Sequence, residues 1–556
     1  MKYYSQTPPK LVGFDTETDV NGDITVLACS DGSYLCGATT DEMIDFLVAK
    51  TNKKTGVFWN LDFDASAIFK KYLVQHHKLP SSVTYYQHVQ LSIKRDRTHN
   101  FYDVNNFFNI TLKDAAERYL GETKENIEST TDIVQHCITD AKLTCKLGAF
   151  VIKNVYEIIK VYPRKLTTEA SLAKAYLQRY HPDVFHSMIK RSKFGKYSPY
   201  KPEGFELNTF VNFLQTAYKG PINDVSMLGR VENVTEIDIN NAYGEALLQL
   251  HKIKNNKGTP VTHPTPDKEC YGLYDCVVEI PQIHIGFKLR DVSVYPMEGK
   301  KEIVLTRSEY MYLTTIGTKI TVLGGVEFDV EREREFYDIH SLLALRTEEK
   351  TKYTDTGIAA HKWRADIIKK LVVSIYGVLT QNKHGISDFT NFIYASEITA
   401  LVRIKIWEME QKIGIENIVK INTDSIMFVD TGQLSKIDIT GWKVEFQKCT
   451  GYIYDSGIYM IMQNSEIVKF KHRTFKSLTP EVLLGASGKT IVLNEPYIPT
   501  ISSTTKYQEV CQFQTREIPF DLDMNLRKRN WIRSELKFDV LNNHTIVSLP
   551  VVSDEI

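Results

Sequence analysis

The residues of this chain best suited to chemistry are acidic side chains at the ends of apolar segments. Residues 417–430 read NIVKINTDSIMFVD, and their alternating apolar pattern, interrupted by Asn-Thr-Asp-Ser, predicts a β-hairpin. Asn422 and Asp424 are two residues apart, so on a strand we expect them to face the same way. Residues 236–248 predict a second strand, which carries Asp238. Two aspartates from separate strands that meet at one point predict a site for a pair of Mg²⁺ ions.

A second group of acidic residues lies in the amino-terminal third of the chain. Asp15 and Glu17 end one predicted strand and lie on one face of it. Asp64 follows another predicted strand, and Asp140 shares a helix face with His136 at a spacing of i and i+4. Four carboxylates in one pocket repel one another unless hard cations neutralise them, and Mg²⁺ and Mn²⁺ prefer oxygen ligands. The pattern therefore favours a second two-metal site, of the kind that hydrolyses phosphodiesters, over four unrelated surface acids.

Length and composition limit the class of protein. With 556 residues the chain is too long for a single core, and 42% apolar and 11% aromatic residues predict globular modules. No run approaches the ~18–20 continuous apolar residues of a membrane span, and the segment MKYYSQTPPK has no apolar signal core. We therefore expect a cytoplasmic protein that is neither secreted nor inserted in a membrane. The eight cysteines show no paired CxxC spacing, which predicts reduced thiols.

The charge balance gives no global sign of a polyanionic partner. The 68 basic residues match 68 acidic ones, whereas proteins that bind nucleic acids are more often basic. Three local segments mix basic and aromatic side chains, the types that hold phosphates and stack on bases: residues 190–201, 469–476 and 527–533. Each segment alone is more typical of a solvated surface, so it supports nucleic-acid binding only in combination with the acidic motifs.

In order along the chain, the amino-terminal acids resemble the 3′–5′ exonuclease motifs of family B DNA polymerases. The three motifs correspond to Asp15-Thr-Glu17, Asn60-x-x-Phe63-Asp64 and His136-x-x-x-Asp140. The resemblance implies that the four acids bind metal ions and that Asn60 supports this site. It also implies that Phe63 contacts a frayed 3′ end and that Lys113 stabilises a phosphate. His136 stands where the family usually has tyrosine, and a ring nitrogen that orients the attacking water would add pH dependence near neutrality.

The rest of the chain resembles the polymerase motifs of the same family, in the same order. They correspond to Asp238-Ile-Asn-Asn-Ala-Tyr243-Gly244, to Lys369 with Tyr376-Gly377, and to Asn422-Thr-Asp424-Ser425. The resemblance implies that Asp238, Asp424 and the Ile239 carbonyl hold the second pair of metal ions. The expected cofactors are therefore two Mg²⁺ or Mn²⁺ ions at each of the two sites.

The same motifs imply the contacts to an incoming nucleotide. Tyr243 would pack beneath its sugar, where a flat ring would clash with a 2′-hydroxyl. Residues 361–379 predict a helix that ends at Gly377. On this helix Lys369 would bind triphosphate oxygens and Tyr376 would pack against the nascent base pair. Arg346, in the helical segment before it, is a second candidate for the triphosphate.

Two further elements imply contacts to DNA. AYKGP, residues 217–221, resembles the Tyr-x-Gly-Gly element that holds template between the exonuclease and polymerase sites, and it supplies Tyr218 and Gly220. Residues 441–461 resemble the strands that lead to the Lys-x-Tyr primer-binding motif, where Tyr459 matches the tyrosine.

In the polymerase part, departures from the family pattern include Val373 in place of Asn, Lys420 in place of Tyr, Asn422 in place of Asp and Gly457 in place of Lys. Asn422 removes one negative charge and keeps a carbonyl oxygen, so it should weaken Mg²⁺ affinity without abolishing the site. Asp424 retains the ligand position that bridges both metals in the family.

The resemblance covers essentially the whole chain and implies a multidomain α/β and α+β architecture: a ribonuclease-H-like exonuclease domain followed by a ferredoxin-like palm, fingers and a small thumb. The implied boundaries are 1–165 for the exonuclease domain, 166–222 for a linker and template-contact segment, 223–300 for the first part of the palm with an insertion, 301–378 for the palm edge and fingers, 379–448 for the second part of the palm, and 449–556 for the thumb and carboxy-terminal region. The length matches the small protein-primed polymerases of bacteriophages and linear mobile elements.

The sequence thus predicts a monomeric DNA-directed DNA polymerase with 3′–5′ proofreading that replicates a viral or mobile-element genome. Its partners would be primer–template DNA and deoxynucleoside triphosphates, and the priming mode stays open between a terminal protein and an oligonucleotide. A second hypothesis also stays open, because Val373, Asn422 and Gly457 depart at working positions. It describes a DNA-binding 3′–5′ exonuclease or replication subunit whose polymerase site is weakened or inactive.

Overall fold

The structure is a computed structural model. It describes residues 2–497 except 87, 123–131, 185–188, 192–196, 200–201, 203–205, 228, 255–256, 290–291, 382–387, 473–474 and 486–489, and it also describes the strands 514–521, 537–538 and 546–547. Of the three basic-aromatic segments, 527–533 and most of 190–201 lie outside the described residues. None of the described helices is long and apolar enough to cross a membrane.

The described residues of the amino-terminal part form both strands and α-helices. The strands are β1 (Tyr4–Ser5), β2 (Leu11–Thr18), β3 (Ile24–Cys29), β4 (Tyr34–Cys36), β5 (Thr55–Phe58), β6 (Val83–Tyr86), β7 (Gln90–Lys94), β8 (Thr98–Asp103) and β9 (Tyr162–Pro163). The helices are α1 (Thr40–Lys50), α2 (Leu61–His76), α3 (Leu112–Ala115), α4 (Ile133–Ile159) and α5 (Glu169–Tyr180).

The middle part is mostly β-structure. Its strands are β10 (Ile189–Arg191), β11 (Tyr197–Pro199), β12 (Ile222–Val225), β13 (Gly229–Ile239), β14 (His251–Ile253), β15 (Thr259–Val261), β16 (Cys270–Ile280), β17 (Phe287–Leu289), β18 (Val292–Val294), β19 (Gly299–Thr306) and β20 (Ile320–Arg334). Its helices are α6 (Leu207–Ala217), α7 (Ala242–Gln249) and α8 (Arg307–Thr315).

The carboxy-terminal part begins with three long helices and ends in short hairpins. The helices are α9 (Ile339–Thr356), α10 (Ala359–Leu379), α11 (Phe392–Ile413) and α12 (Pro480–Gly485). The strands are β21 (Ile418–Thr423), β22 (Ser425–Val429), β23 (Trp442–Asp455), β24 (Ile458–Gln463), β25 (Glu466–His472), β26 (Thr490–Tyr497), β27 (Gln514–Asp521), β28 (Lys537–Phe538) and β29 (Ile546–Val547). The mixed α/β composition that the sequence predicts is confirmed.

The chain divides into two compact units. The first comprises residues 1–185, 338–378 and 496–515, and the second comprises 186–337, 379–495 and 516–556. Helix α9 and nearly all of α10 therefore group with the amino-terminal strands. The domain boundaries implied by the sequence remain a prediction.

The first unit is built on a seven-stranded sheet in the order β4-β3-β2-β5-β8-β7-β6. β2, β5 and β8 run parallel, and the flanking pairs are antiparallel. Phe14, Phe58 and Phe101, one from each parallel strand, are fully buried, and the ring centroids of Phe14 and Phe58 are 5.4 Å apart. Because the carboxyl ends of parallel strands meet at one sheet edge, side chains at these ends are brought together.

Helix α4 lies directly against strand β2. A Cβ atom at Gly13 would be 2.1 Å from the carbonyl oxygen of Ala141, so only glycine allows this approach of strand and helix backbones. The contact brings the end of β2, with Asp15 and Glu17, towards the helix face that carries Asp140.

The start of helix α1 follows the local sequence signal. Thr39 caps the helix, its side chain accepts a hydrogen bond from the Glu42 N–H, and the Glu42 carboxylate accepts one from the Thr39 N–H. Residues 39–42, Thr-Thr-Asp-Glu, have the sequence spacing of a capping box, and the structure forms one.

The second unit contains a seven-stranded sheet in the order β12-β21-β22-β13-β23-β24-β25, all of whose neighbours are antiparallel. Helix α11 packs against α7 and contacts β22. Ile237, Ile421 and Ile426 form one fully buried row across this sheet, with Ile426 paired to each of the others. A separate five-stranded sheet is formed by β14, β15, β16, β19 and β20.

Two local predictions are wrong. Helix α10 does not end at Gly377 but continues to Leu379, since Gly377 does not adopt a positive φ and the apolar Val378 and Leu379 are buried. Asn422 and Asp424 do not share a strand face, since β21 ends at Thr423 and β22 begins at Ser425, so Asp424 lies in the turn between them.

Candidate functional site

The first unit gathers four acidic side chains at the end of strand β2. Burial raises the pKa of Asp15 well above its usual value, and the negative charges of Asp64, Asp140 and Glu17 raise it further. Asp64 is only 2% exposed and Asp140 only 6% exposed. The negative charges of Asp64, Asp140 and Glu17 therefore act on Asp15 in a poorly solvated place, and a divalent cation would relieve this repulsion.

His136 bridges two of these acids. Its Nε2 atom lies 3.5 Å from a carboxylate oxygen of Glu17 and 3.5 Å from one of Asp140. The second contact follows from the i, i+4 spacing on α4, as the sequence predicts. His136 is therefore positioned at the acid cluster and not on an unrelated helix face.

Asp64 is held by hydrogen bonds that the sequence motif does not reveal. The Thr16 hydroxyl donates to the Asp64 carboxylate at 2.7 Å. Burial raises the pKa of Asp64, while the Thr16 hydrogen bond acts in the opposite direction. Thr16 lies between the two acids of the first motif, so β2 both supplies acids and orients a third one.

Asp103 is a residue that sequence reasoning missed. Its Oδ1 atom accepts hydrogen bonds from the backbone N–H groups of Asn60, at 3.0 Å, and Asn105, at 2.9 Å. Asn60 has a φ of +65°, and this left-handed turn starts the helix that presents Asp64. Burial raises the pKa of Asp103 to about 6. The signal was available: Asp103 ends β8, which lies parallel and next to β5.

The two remaining predicted residues of this site, Phe63 and Lys113, lie on α2 and α3. Phe63 lies half-buried in the first turn of α2, next in sequence to Asp64. Lys113 is exposed on the short helix α3. Their assigned roles remain predictions.

The second unit brings Asp238 and Asp424 side by side. Asp238 pairs with Ser425 across β13 and β22. The N–H of Ile239 donates to the Asp424 carbonyl at 2.9 Å, and the N–H of Asp424 donates to the Asn422 carbonyl at 2.8 Å. The backbone therefore fixes the two aspartates next to each other at the hairpin tip.

The turn that carries Asp424 is strained. Thr423 has a φ of +64°, a conformation that a β-branched residue rarely adopts. Such strain persists where surrounding structure over-determines it, and it is concentrated at functional sites. Here the strained residue directly precedes Asp424.

Tyr243 lies close to Asp424 in the same unit. It is 8% exposed, in the first turn of α7. Burial raises the pKa of Tyr243, and the negative charge of Asp424 adds to this effect. Tyr218 and Tyr295 are within electrostatic reach of the same hydroxyl.

The loop that contains Tyr218 and Gly220 is held by fully buried charges. Lys219 Nζ donates to Glu309 at 2.8 Å and to the Val304 carbonyl at 2.6 Å. Arg403 pairs with Glu309 and donates to the Gly220 carbonyl. Glu309 and Arg403 are 0% exposed, and their burial makes this ion network a fixed support for the loop. Sequence reasoning missed it, because its members are far apart in the chain.

The predicted nucleotide contacts on α9 and α10 group with the first unit. Lys369 is exposed, Tyr376 is half-buried, and burial lowers the pKa of the Arg346 guanidinium while Asp366 acts against this shift. A cavity of about 660 Å³ in this unit is lined by Lys369 and Val373, together with Asn106, Phe108, Asn109, Tyr119 and other residues.

Within the described residues, no three His, Cys, Asp or Glu side chains already converge as ligands of one metal ion. The donor types nevertheless fit a hard cation, because the clustered groups in both units are carboxylates. In the first unit burial and then the charges of Asp64, Asp140 and Glu17 raise the pKa of Asp15, and a bound cation would oppose this rise.

The fold class of the chain is identified by its similarity to solved structures. Neither protein families nor curated proteins gave a match, but solved structures of DNA polymerases match over most of the chain. The chain has a phi29-like family B DNA polymerase fold.

Among the matching structures is phi29 DNA polymerase. Its ternary complex with primer–template DNA and incoming nucleotide substrates is 14% identical, with a TM-score of 0.65, and the match covers 93% of this chain and 100% of that one. Its orthorhombic crystal form is 13% identical, with a TM-score of 0.62 and the same coverage. At such low identity the structural match shows a shared fold alone. The resemblance predicted from the sequence is confirmed for the fold.

Proposed function

We propose that this protein is a DNA-directed DNA polymerase with a 3′–5′ proofreading exonuclease. The observation that carries the proposal is the presence of two separate carboxylate sites in a phi29-like fold. One gathers Asp15, Glu17, Asp64 and Asp140, and the other places Asp238 beside Asp424. Two spatially separate acid sites are what one chain needs to both make and remove a phosphodiester bond.

At the synthetic site, Asp238, Asp424 and the Ile239 carbonyl would hold a pair of Mg²⁺ or Mn²⁺ ions. When bound, such ions activate the primer 3′-oxygen and stabilise the pyrophosphate leaving group. The Tyr243 ring, buried next to Asp424, limits the space at the sugar and disfavours a 2′-hydroxyl.

The sequence resemblance assigns the contacts to the incoming nucleotide to residues of α9 and α10. Lys369 and Arg346 neutralise the triphosphate, because cationic side chains offset the charge of transferred phosphoryl groups. Tyr376 packs against the nascent base pair. Val373 supplies no polar contact at its position, so nucleotide binding depends more heavily on Lys369.

At the exonuclease site, the four acids would hold a second pair of ions, which activates water for phosphodiester hydrolysis when bound. His136 orients that water through a ring nitrogen, since it lies between Glu17 and Asp140. Phe63 supports the frayed 3′ end, Lys113 a phosphate, and Asn60 the turn before Asp64.

Tyr218, Gly220 and Tyr459 are proposed DNA contacts, on the resemblance of their segments to template- and primer-binding elements. The domain boundaries given by the sequence, from the ribonuclease-H-like domain at 1–165 to the thumb at 449–556, belong to the same proposal. So do a monomeric state, a host-cytoplasmic location and the replication of a viral or mobile-element genome.

A primer-extension assay on a 5′-labelled primer–template tests the proposal. The chain is incubated with deoxynucleoside triphosphates in separate Mg²⁺ and Mn²⁺ reactions, and without triphosphates to record degradation. We expect extension in the first case and 3′ degradation in the second. Asp238→Asn should abolish only extension.

The second candidate, an exonuclease or replication subunit with a disabled polymerase site, is favoured by Asn422, Val373 and Gly457. It predicts degradation without extension under either metal. That outcome would reject the polymerase proposal and retain the exonuclease.

A further inference from the structure

Lys420 is a buried cation beside the proposed synthetic site. It is 1% exposed, and its Nζ atom makes no hydrogen bond within the described part of the chain. Burial lowers the pKa of Lys420 to about 8; Glu236 acts against this shift, and Lys469 and Lys471 add to it. A buried ammonium is destabilising unless neighbouring groups compensate its charge.

The face of Tyr459 supplies the closest compensation. Lys420 Nζ lies 3.8 Å from the centroid of the Tyr459 ring, well within the range of a cation–π contact. Tyr459 is itself only 2% exposed. Because both groups are removed from water, their attraction is stronger than that of an exposed pair.

Glu236 supplies the second compensation, but it is shared. One of its carboxylate oxygens accepts the Ser425 hydroxyl at 3.1 Å, and the other pairs with Lys469. Lys420 therefore interacts with the charge of Glu236 through space and has the Tyr459 ring as its direct partner.

These contacts surround the hairpin tip. Strand register places Lys420 opposite Met427, and Met427 opposite Glu236, in one row across β21, β22 and β13. Ser425 follows Asp424 directly, and Glu236 precedes Asp238 by two residues on the same strand. The Lys420 row therefore lies two residues along the strands from the row that holds Asp238, with the row of Ile237, Ile421 and Ile426 between them.

We infer that Lys420 is a positioning residue of the synthetic site, whose ammonium seats the Tyr459 ring and so couples strand β24 to the hairpin that carries Asp424. The inference rests on the proposed polymerase function and deepens it. Lys420 touches no reacting atom. It acts through the buried Tyr459 ring on the position of strand β24, whose segment resembles the primer-binding strands of the family.

The test is a double-mutant cycle with Lys420→Met and Tyr459→Leu, in which primer–template affinity is measured by fluorescence anisotropy. Each single variant should weaken binding by on the order of tenfold, the loss expected for a desolvated cation–π contact. The double variant should lose little more than either single variant, since the two residues act through one contact.

Two further variants separate the ring contact from charge in general. Lys420→Arg keeps a cation that stacks on an aromatic face and should restore most of the affinity. Lys469→Met is the matched control: it removes the lysine paired with Glu236, whose Nζ is 5.9 Å from the same ring. It should leave the coupling between positions 420 and 459 intact.

Degradation of single-stranded DNA and the thermal midpoint are measured on every variant. Additive losses at positions 420 and 459 would overturn the inference, as would equal losses in exonuclease activity and stability, which indicate a purely structural role. Wild-type primer extension is scored separately. Coupled DNA binding without any extension would reject the proposed function alone, and extension without coupling would reject this inference alone.

Discussion

The two carboxylate sites differ in how much negative charge they concentrate. The exonuclease-like site of the first unit crowds Asp15, Glu17, Asp64 and Asp140 together, with His136 between two of them. The hairpin site of the second unit has Asp238 and Asp424, a neutral Asn422 and a buried lysine behind them. Cation affinity rises with the charge of the ligands. We therefore expect the first site to bind divalent metal at lower concentration than the second.

The largest expected effect comes from removing the charge at the hairpin tip. Asp424→Asn should reduce primer extension by on the order of 10³-fold, because Asp238 would then be the one remaining carboxylate of this pair. Degradation of single-stranded DNA should be unchanged. The rates of both reactions are compared by gel assay.

The control for this change is Asp430→Asn, an acid-to-amide substitution just after β22. Asp430 caps the following loop, with Oδ1 2.9 Å from the Gly432 N–H. Equal loss of extension in both variants would show that the hairpin as a whole, and not the charge of Asp424, limits synthesis.

The reciprocal change is Asp140→Asn in the crowded site. It should reduce degradation by about 10²- to 10³-fold while extension is preserved, a smaller loss because three acids remain. Asp132→Asn, at the cap of the same helix α4, is the matched control. A parallel fall in extension would contradict the independence of the two sites.

A several-fold effect is expected from adding charge to the sparse site. Asn422→Asp should lower the Mg²⁺ concentration at which extension is half-maximal, since it restores a carboxylate next to Asp424. The midpoint is obtained from a Mg²⁺ titration of the initial rate. Asn417→Asp, before β21, introduces the same charge away from the turn. An unchanged midpoint for Asn422→Asp would make this residue a bystander.

The smallest effect concerns stability in the crowded site. The pKa of Asp103 is raised to about 6 by burial, so its charged form is disfavoured in the folded state. Its contribution to the free energy of unfolding is therefore greatest below the unfolded pKa, about 4, and is lost as pH rises through about 6.

Asp103→Asn keeps the acceptor for the Asn60 N–H and removes this titration. Without divalent metal, urea unfolding of the wild type should lose about 1–3 kcal/mol more than the variant between pH 4 and 7. Identical pH profiles for the two proteins would show that Asp103 does not resist ionisation.

Local signals in the sequence predict much of the framework. The capping box at Thr39 and the helical pairing of His136 with Asp140 depend on residues within one turn, so both could be predicted. The pairing of Asp238 with Ser425 required only that two strands be adjacent. The family resemblance supplied that adjacency, and the shared phi29-like fold agrees with it.

The remainder depends on contacts that the local sequence does not encode. Asp103 was missed because it accepts a hydrogen bond from the N–H of Asn60, which follows the neighbouring strand β5 and is distant in the sequence. The turn at Asp424 was misjudged because alternation assumes a continuous strand, whereas Thr423 adopts a left-handed conformation. The Glu309–Arg403 pair joins segments 94 residues apart, and no periodicity marks such a contact.

The missing side chain at Gly13 makes the geometry of the exonuclease-like site depend on a residue with no chemistry of its own. A methyl group there would overlap the Ala141 carbonyl oxygen and push α4 outward, carrying His136 and Asp140 away from Asp15 and Glu17. A screen for variants that lose 3′ degradation, the activity proposed for this site, should therefore recover Gly13→Ala as well as substitutions of the acids. The absence of a side chain at Gly13 therefore lets α4 lie close enough to β2 for the four carboxylates to come together.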